Sequence, residues 1–201
     1  PGTISIGTNE DEAGFSIDLL EEAGDLDGDT LSVDPDSLTL LTGTDTGFSL
    51  VGSTLVVDPS AYNMLSAGTP HATTFGYTIT DGHGGSVTRT VVVTVDGRND
   101  QPTISAAITS SVNEDAVSYS IDLHENASDP DSGDTLDVDV DSLTLLSGDA
   151  SGISFEAGNV LSVDPNAYSD LADGESEVVV YSYDVVGGMG GLVAETGKVT
   201  I

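Results

Sequence analysis

Asp36-Ser37-Leu38-Thr39-Leu40-Leu41 and Asp141-Ser142-Leu143-Thr144-Leu145-Leu146 are the same six residues written twice, 105 positions apart. Outward from this stretch the copying continues. Asn9-Glu10-Asp11 returns as Asn113-Glu114-Asp115 and Ser16-Ile17-Asp18-Leu19 as Ser120-Ile121-Asp122-Leu123, each at an offset of 104. Val57-Asp58-Pro59, followed by Ala61-Tyr62, returns as Val163-Asp164-Pro165 with Ala167-Tyr168 at an offset of 106. The drift comes from single-residue insertions, the first of them Ser132. Self-similarity at one long period means a module present twice. The seam is Asp96-Gly97-Arg98-Asn99-Asp100-Gln101-Pro102, a polar segment ending in a residue that breaks both helix and strand. The expected division is residues 1–98 and 99–201, with a linker over 96–102. Pro1 stands where Pro102 stands, ahead of another Thr-Ile-Ser, so the sequence reads as a fragment of a longer array.

Each copy has β texture. Thr88 to Val95 sets polar Thr88, Thr90 and Thr94 against apolar Val91, Val93 and Val95, the period of a strand with one face buried. Similar short runs are Thr3 to Ile6, Phe15 to Leu19, Thr30 to Val33, Leu38 to Leu41, Phe48 to Val51, Thr54 to Val57 and Phe75 to Thr80, with Gly, Asn, Asp and Ser between them. Asp58-Pro59 suits the start of one helical turn over Ser60 to Ser66. Many short strands with no long helix predict an all-β protein, two tandem Greek-key β-sandwich domains in a linear array.

Charge decides what such domains do not do. Of 201 residues, 35 are Asp or Glu and three are Lys or Arg, a formal net charge of −32. No basic face exists to neutralise phosphates, so neither nucleic acid nor an anionic membrane surface is an expected partner. At 37 % hydrophobic the chain is not diluted enough to be disordered. It has no cysteine, so no disulfide frame, thiol nucleophile or zinc-cysteine site. No run approaches the ~18 apolar residues of a membrane helix, and no signal peptide opens the sequence. His71, His83 and His124 align with Glu177, Met189 and Leu20, so no histidine belongs to the shared module. No nucleophile, phosphate-loop or zincin motif is present, and no enzyme activity is expected.

The carboxylates fall into two populations. Asp18, Asp34, Asp122, Asp137 and Asp139 sit at alternating strand positions and read as solubilising surface. Others gather in turns: Asp25-Leu26-Asp27-Gly28-Asp29 in the first copy, Asp129-Pro130-Asp131-Ser132-Gly133-Asp134 in the second. Alternate carboxylates around a glycine bend suit a hard, oxygen-seeking cation, with an Asx-turn as the plainer alternative. Further acidic groups are Glu10 and Asp11, their counterparts Glu114 and Asp115, Asp58 and Asp164, the seam residues Asp96, Asn99 and Asp100, and the turn Asp81-Gly82-His83-Gly84-Gly85. Converging carboxylates repel, and a divalent ion reverses that sign. The many flexible oxygen donors favour several Ca2+ ions over Mg2+ or a transition metal.

These motifs resemble the bacterial cadherin-like repeats of the VCBS type found in large calcium-dependent, RTX-type adhesins. The resemblance rests on Asn9-Glu10-Asp11, the aspartate loop, Phe75 to Gly85 and the seam Asp96 to Pro102, and it spans both copies. It implies cadherin/Ig-like sandwiches with Ca2+ at the domain boundary, held by Glu10 and Asp58, by Asp96, Asn99 and Asp100, and by Asp129, Asp131 and Asp134. Asp25, Asp27 and Asp81 would form the matching half-site of the first copy, and Glu114 and Asp164 the counterparts in the second. Gly187 stands where the first copy has Asp81, so one ligand is missing unless Asp184 replaces it. The implied function is a calcium-rigidified extender of a secreted bacterial surface adhesin, serving cell adhesion or biofilm formation. The alternative is a module that binds carbohydrate or protein ligands in a calcium-dependent way. Implied partners are neighbouring repeats, with host-cell, biofilm or glycan ligands met by other parts of the parent protein, and the fragment itself is expected to be a monomer.

Overall fold

A strand with alternating side chains has one face to bury, and here the strands do so in pairs of small sheets. In the computed structural model, which describes residues 2–201, the chain divides into two compact units, one ending at Asn99 and the other running Asp100–Ile201. Pro1, matched above with Pro102, lies outside the described residues.

The strands of the first unit are β1 (Thr3–Asn9), β2 (Phe15–Asp18), β3 (Ser32–Val33), β4 (Thr39–Thr42), β5 (Phe48–Val51), β6 (Thr54–Val57), β7 (Pro70–Thr80) and β8 (Ser86–Asp96). One sheet runs β1-β8-β7-β3 with β4 also on β7, and the other β2-β6-β5. Only β5–β6 and β7–β8 are hairpins between consecutive strands; every other link crosses sheets or, from β3 to β4, stays along β7, giving a Greek-key sandwich. β1 lies parallel to β8, with Thr3 opposite Thr90 and Asn9 opposite Asp96. That pairing brings Asn9-Glu10 to the start of the seam.

The second unit repeats the plan with β9 (Thr103–Ile104), β10 (Thr109–Ser111), β11 (Tyr119–Asp122), β12 (Ala127–Ser128), β13 (Leu136–Ser147), β14 (Ile153–Glu156), β15 (Val160–Val163), β16 (Val178–Gly187) and β17 (Leu192–Thr200). Its sheets are β10-β17-β16-β13 and β11-β15-β14, with a small β12-β9 pair. β13 fuses the equivalents of β3 and β4, and its register slips between Asp139 and Thr144, where the first unit has a break. The expected helical turn is one 3-10 turn per unit, Pro59–Tyr62 and Pro165–Tyr168. β7 starts at Pro70, earlier than the Phe75-to-Thr80 pattern suggests. Its β8 partner extends the ladder as far as Asp96, and a proline is tolerated at the first residue of a strand.

Each unit has its own core. Leu19, Leu55, Val57, Tyr77, Val91, Val93 and Val95 are almost fully buried in the first, and Leu123, Leu161, Val163, Tyr183, Val185 and Val199 in the second. Burying each such side chain contributes about 1.5–3 kcal/mol. The Tyr77 hydroxyl donates to the Leu19 carbonyl at 3.0 Å and that of Tyr183 to the Leu123 carbonyl at 3.1 Å. A buried phenol finds a partner, and both copies find the same one.

Candidate metal centres

Two groups of three carboxylates converge among the described residues: Asp25, Asp29 and Asp81 in the first unit, and Asp129, Asp131 and Asp134 in the second. In each group one oxygen per residue lies within 4.8 Å of the others.

The second group is built by backbone amides. The Asp129 Oδ1 accepts from the Asp131 N–H at 2.9 Å. The Asp131 Oδ2 accepts from the Asp100 N–H at 2.8 Å. The Asp134 Oδ1 accepts from the N–H of Thr135 at 2.6 Å and of Met189 at 3.1 Å. The other oxygen of each residue, Asp129 Oδ2, Asp131 Oδ1 and Asp134 Oδ2, is buried without a hydrogen-bond partner. Asp131 as a whole is 3 % exposed. One oxygen of each carboxylate is thus fixed while the other is withheld from both water and protein. Three such anions side by side are unfavourable unless a cation completes them.

Gly187 explains how the group tolerates the loss of an aspartate. A Cβ there would lie 2.7 Å from Asp134 Oδ2 and 2.5 Å from the Gly190 carbonyl, so glycine leaves room for the turn to close on Asp134. Asp184 does not fill the gap: it faces Asp139 across β16 and β13, and its N–H donates to Ser142 Oγ at 2.8 Å. The third carboxylate is Asp131.

In the first unit the third carboxylate comes from the hairpin. Asp25 Oδ1 accepts from the N–H of Asp27 at 2.8 Å and of Asp29 at 3.2 Å. Asp81 Oδ1 accepts from the N–H of His83 at 2.7 Å and of Gly85 at 2.9 Å. The His83 amide above all, then those of Gly85 and Gly84, holds the Asp81 carboxyl below its usual range. His83 Nδ1 stands 3.3 Å from Asp29 Oδ2. Asp27 is exposed and outside the group. Asp29, a member of the aspartate loop outside the expected ligand set, joins the group; the Ser132 insertion, which sets it opposite Asp134, is the sequence signal that marks it.

The remaining expected ligands are placed as follows. Glu10 is 1 % exposed. Its Oε1 accepts from the Arg98 N–H at 2.5 Å and its Oε2 from the Leu65 N–H at 3.3 Å. Asp96 is exposed at the end of β8, and Asn99 and Asp100 are half-buried. Glu114 is half-buried, beside a hollow of about 370 Å³. Asp58 and Asp164 cap the 3-10 turns, Asp58 Oδ1 accepting from the Ser60 N–H at 3.2 Å and Asp164 Oδ1 from the Asn166 N–H at 3.2 Å. Neither is in a converging group. Asp18, Asp122 and Asp139, expected at the surface, are exposed and each closes a turn by accepting the amide two residues on.

Residues 2–94 match the family model of the bacterial Ig domain, which covers nearly all of the first unit and just under half of the chain. The match falls on the first unit, whose strand order is that of a Greek-key sandwich. Comparison with curated proteins finds no match. Among solved structures, human mucin-like protocadherin EC1-2 is 15 % identical with a TM-score of 0.47, covering 98 % of this chain and 93 % of that one. Mouse cadherin-23 EC22-24 is 14 % identical with a TM-score of 0.46, over 98 % of this chain and 61 % of that one. Drosophila N-cadherin EC1-4 is 14 % identical with a TM-score of 0.45; this chain, 98 % covered, spans about half of it, 48 %. Among the described residues no helix is long and apolar enough to cross a membrane.

Proposed function

We propose that the chain is a pair of calcium-binding, adhesion-type repeats whose bound ions stiffen the junction between modules. The observation that carries this reading is the set of three buried, unpartnered oxygens of Asp129, Asp131 and Asp134. Their chemistry suits Ca2+, which takes six to eight oxygen ligands in flexible geometry. Asp129, Asp131 and Asp134 would hold it in the second unit, and Asp25, Asp29 and Asp81 in the first.

The seam residues link the ion to mechanics. The Arg98 N–H is held by Glu10 of the first unit and the Asp100 N–H by Asp131 of the second, with Asn99 between them. An ion on Asp131 tightens the second hold, because it removes the repulsion that would otherwise push that carboxylate toward water. In this reading the repeats are extenders of a secreted bacterial surface protein of the VCBS or RTX-adhesin kind, working where calcium is millimolar. Support for a surface role comes from the bacterial Ig domain match and from the charge of −32, which keeps a long acidic array soluble. Small-angle scattering of the chain in calcium and in EGTA tests it. A narrower distribution of dimensions in calcium is expected; identical profiles contradict the extender role.

A further inference from the structure

Arg89 is one of three basic residues in a chain with 35 carboxylates, and it is buried, 8 % exposed. Its Nε donates to the Gly2 carbonyl at 3.4 Å and its Nη1 to the Glu21 carbonyl at 2.6 Å. A guanidinium carries five N–H donors, so these two bonds leave most of them over. No Asp or Glu carboxylate oxygen among the described residues lies within 4.0 Å of its nitrogens. A buried cation is costly unless an anion pairs with it, and this one lines a hollow of about 450 Å³. Glu22, Asp25 and Asp81 line the same hollow, and Leu31 and Ile79 give it an apolar side.

The second copy shows that the fold does not demand this cation. Glu195 stands at the position of Arg89, 106 residues on, and is as deeply buried at 9 % exposed. Its Oε1 accepts from the Thr196 N–H at 2.7 Å. Ala23 and Gly24, at the edge of the hollow, have as counterparts Ala127 and Ser128, which pair with Thr103–Ile104.

We propose that the hollow of the first unit binds a carboxylate-bearing sugar, a hexuronic acid. The sugar's carboxylate pairs with Arg89, and its hydroxyls donate to Glu22, Asp25 and Asp81. Guanidinium and carboxylate match as planar forks through two parallel N–H···O bonds. The ionised carboxylates around them only accept. They repel a plain anion but suit a ligand whose other polar groups are O–H donors. The volume lies in the range of small-molecule clefts. Arg89 is outside the carboxylate group assigned to calcium, and these contacts need no ion, so their failure in EGTA leaves the calcium reading untouched.

The test is an amide NMR titration of the full chain with sodium D-glucuronate and, separately, with glucose. It is run in EGTA at about 0.15 M ionic strength, which screens the long-range repulsion between the chain and an anion. Saturable shifts are expected at Thr88 to Thr90 and at Asp81 to Gly85, with a dissociation constant of about 10 mM or below. Glucose should bind about fivefold more weakly or worse, and the second unit should not shift. Arg89→Gln should abolish the glucuronate shifts; if that variant melts early, the glucose comparison on the unaltered chain decides alone. Shifts that glucose reproduces at equal strength, that spread equally to the second unit, or that survive in a folded Arg89→Gln chain would overturn the proposal. So would an absence of shifts up to about 50 mM glucuronate.

Discussion

The two aspartate loops start from one module and reach three carboxylates by different routes. The first takes Asp25 and Asp29 from the loop and Asp81 from the β7–β8 hairpin; the second takes Asp129, Asp131 and Asp134 from the loop alone, with Gly187 in the hairpin. Formal charge is the same in both, but burial is not. The first group leaves its oxygens half-exposed, and the second hides three of them without partners. A backbone amide goes with the difference: the Asp100 N–H holds Asp131 inside, whereas among the described residues no N–H donates to Asp27.

A calcium comparison should break that symmetry most. Calcium at about a hundredfold above its dissociation constant stabilises a one-site protein by about 2.7 kcal/mol. Asp131→Asn should abolish most of that gain for the second unit in urea unfolding, yet raise its stability in EGTA by relieving the unpaired buried charge. A substitution that destabilises equally in both buffers would mean that Asp131 serves the fold rather than an ion.

The cores differ as well. Phe75 faces Val91 in the first unit, with the Phe48 ring 5.1 Å away edge-on. In the second, Tyr181 faces Gly197, and a Cβ on Gly197 would sit 2.2 Å from Tyr181 Cζ. The tyrosine ring covers the glycine, the compensation seen where aromatics lie across from strand glycines. Gly197→Ala should therefore cost the second unit about 1–3 kcal/mol by overpacking, read as a lower urea midpoint. Tyr181 also hides its hydroxyl without a partner. Tyr181→Phe, which restores the residue type of Phe75, should stabilise the second unit by about 1 kcal/mol; a loss instead would show that the hydroxyl is bonded in solution.

Alkaline titration gives the smallest contrast. Burial pushes Tyr181 up to about 12 and raises Tyr183 further. In the first unit, Tyr77 is raised by burial against the lowering effect of Arg89. A raised tyrosine stays protonated in the folded state while the unfolded chain ionises near 10, so folded stability falls as pH rises from about 10 to about 12. The second unit, with three raised phenols in its core (Tyr168, Tyr181 and Tyr183), should lose stability faster over that window. Circular dichroism melts at pH 9 and pH 11 compare the two; equal losses would refute the assignment.

Much of the fold was legible in the sequence. The six-residue repeat and the Thr88-to-Val95 alternation dictate two small sandwiches, because a period of two leaves little choice of buried face. Strand ends were less legible: β7 is lengthened by its partner across the sheet, and β13 fuses two strands that the first unit keeps apart. For the site, sequence pointed to the loops whose carboxylates converge and to Ca2+ as the cation to test, but not to the grouping. Asp29 joins its group through the fold of the loop, and Asp58 is held by the amide two residues on, a local bond that composition does not distinguish from a ligand. Asp131 is decided by a single amide of the linker.

If the withheld oxygens of Asp129, Asp131 and Asp134 hold calcium, the chain must bind it in solution. Isothermal titration of Ca2+ into the EGTA-stripped and dialysed chain measures this. Saturable binding is expected with a dissociation constant of about 10⁻⁴ to 10⁻³ M, weakened at least tenfold in Asp134→Ala. A titration without saturable heat up to tens of millimolar, or one that Asp134→Ala leaves unchanged, would contradict it.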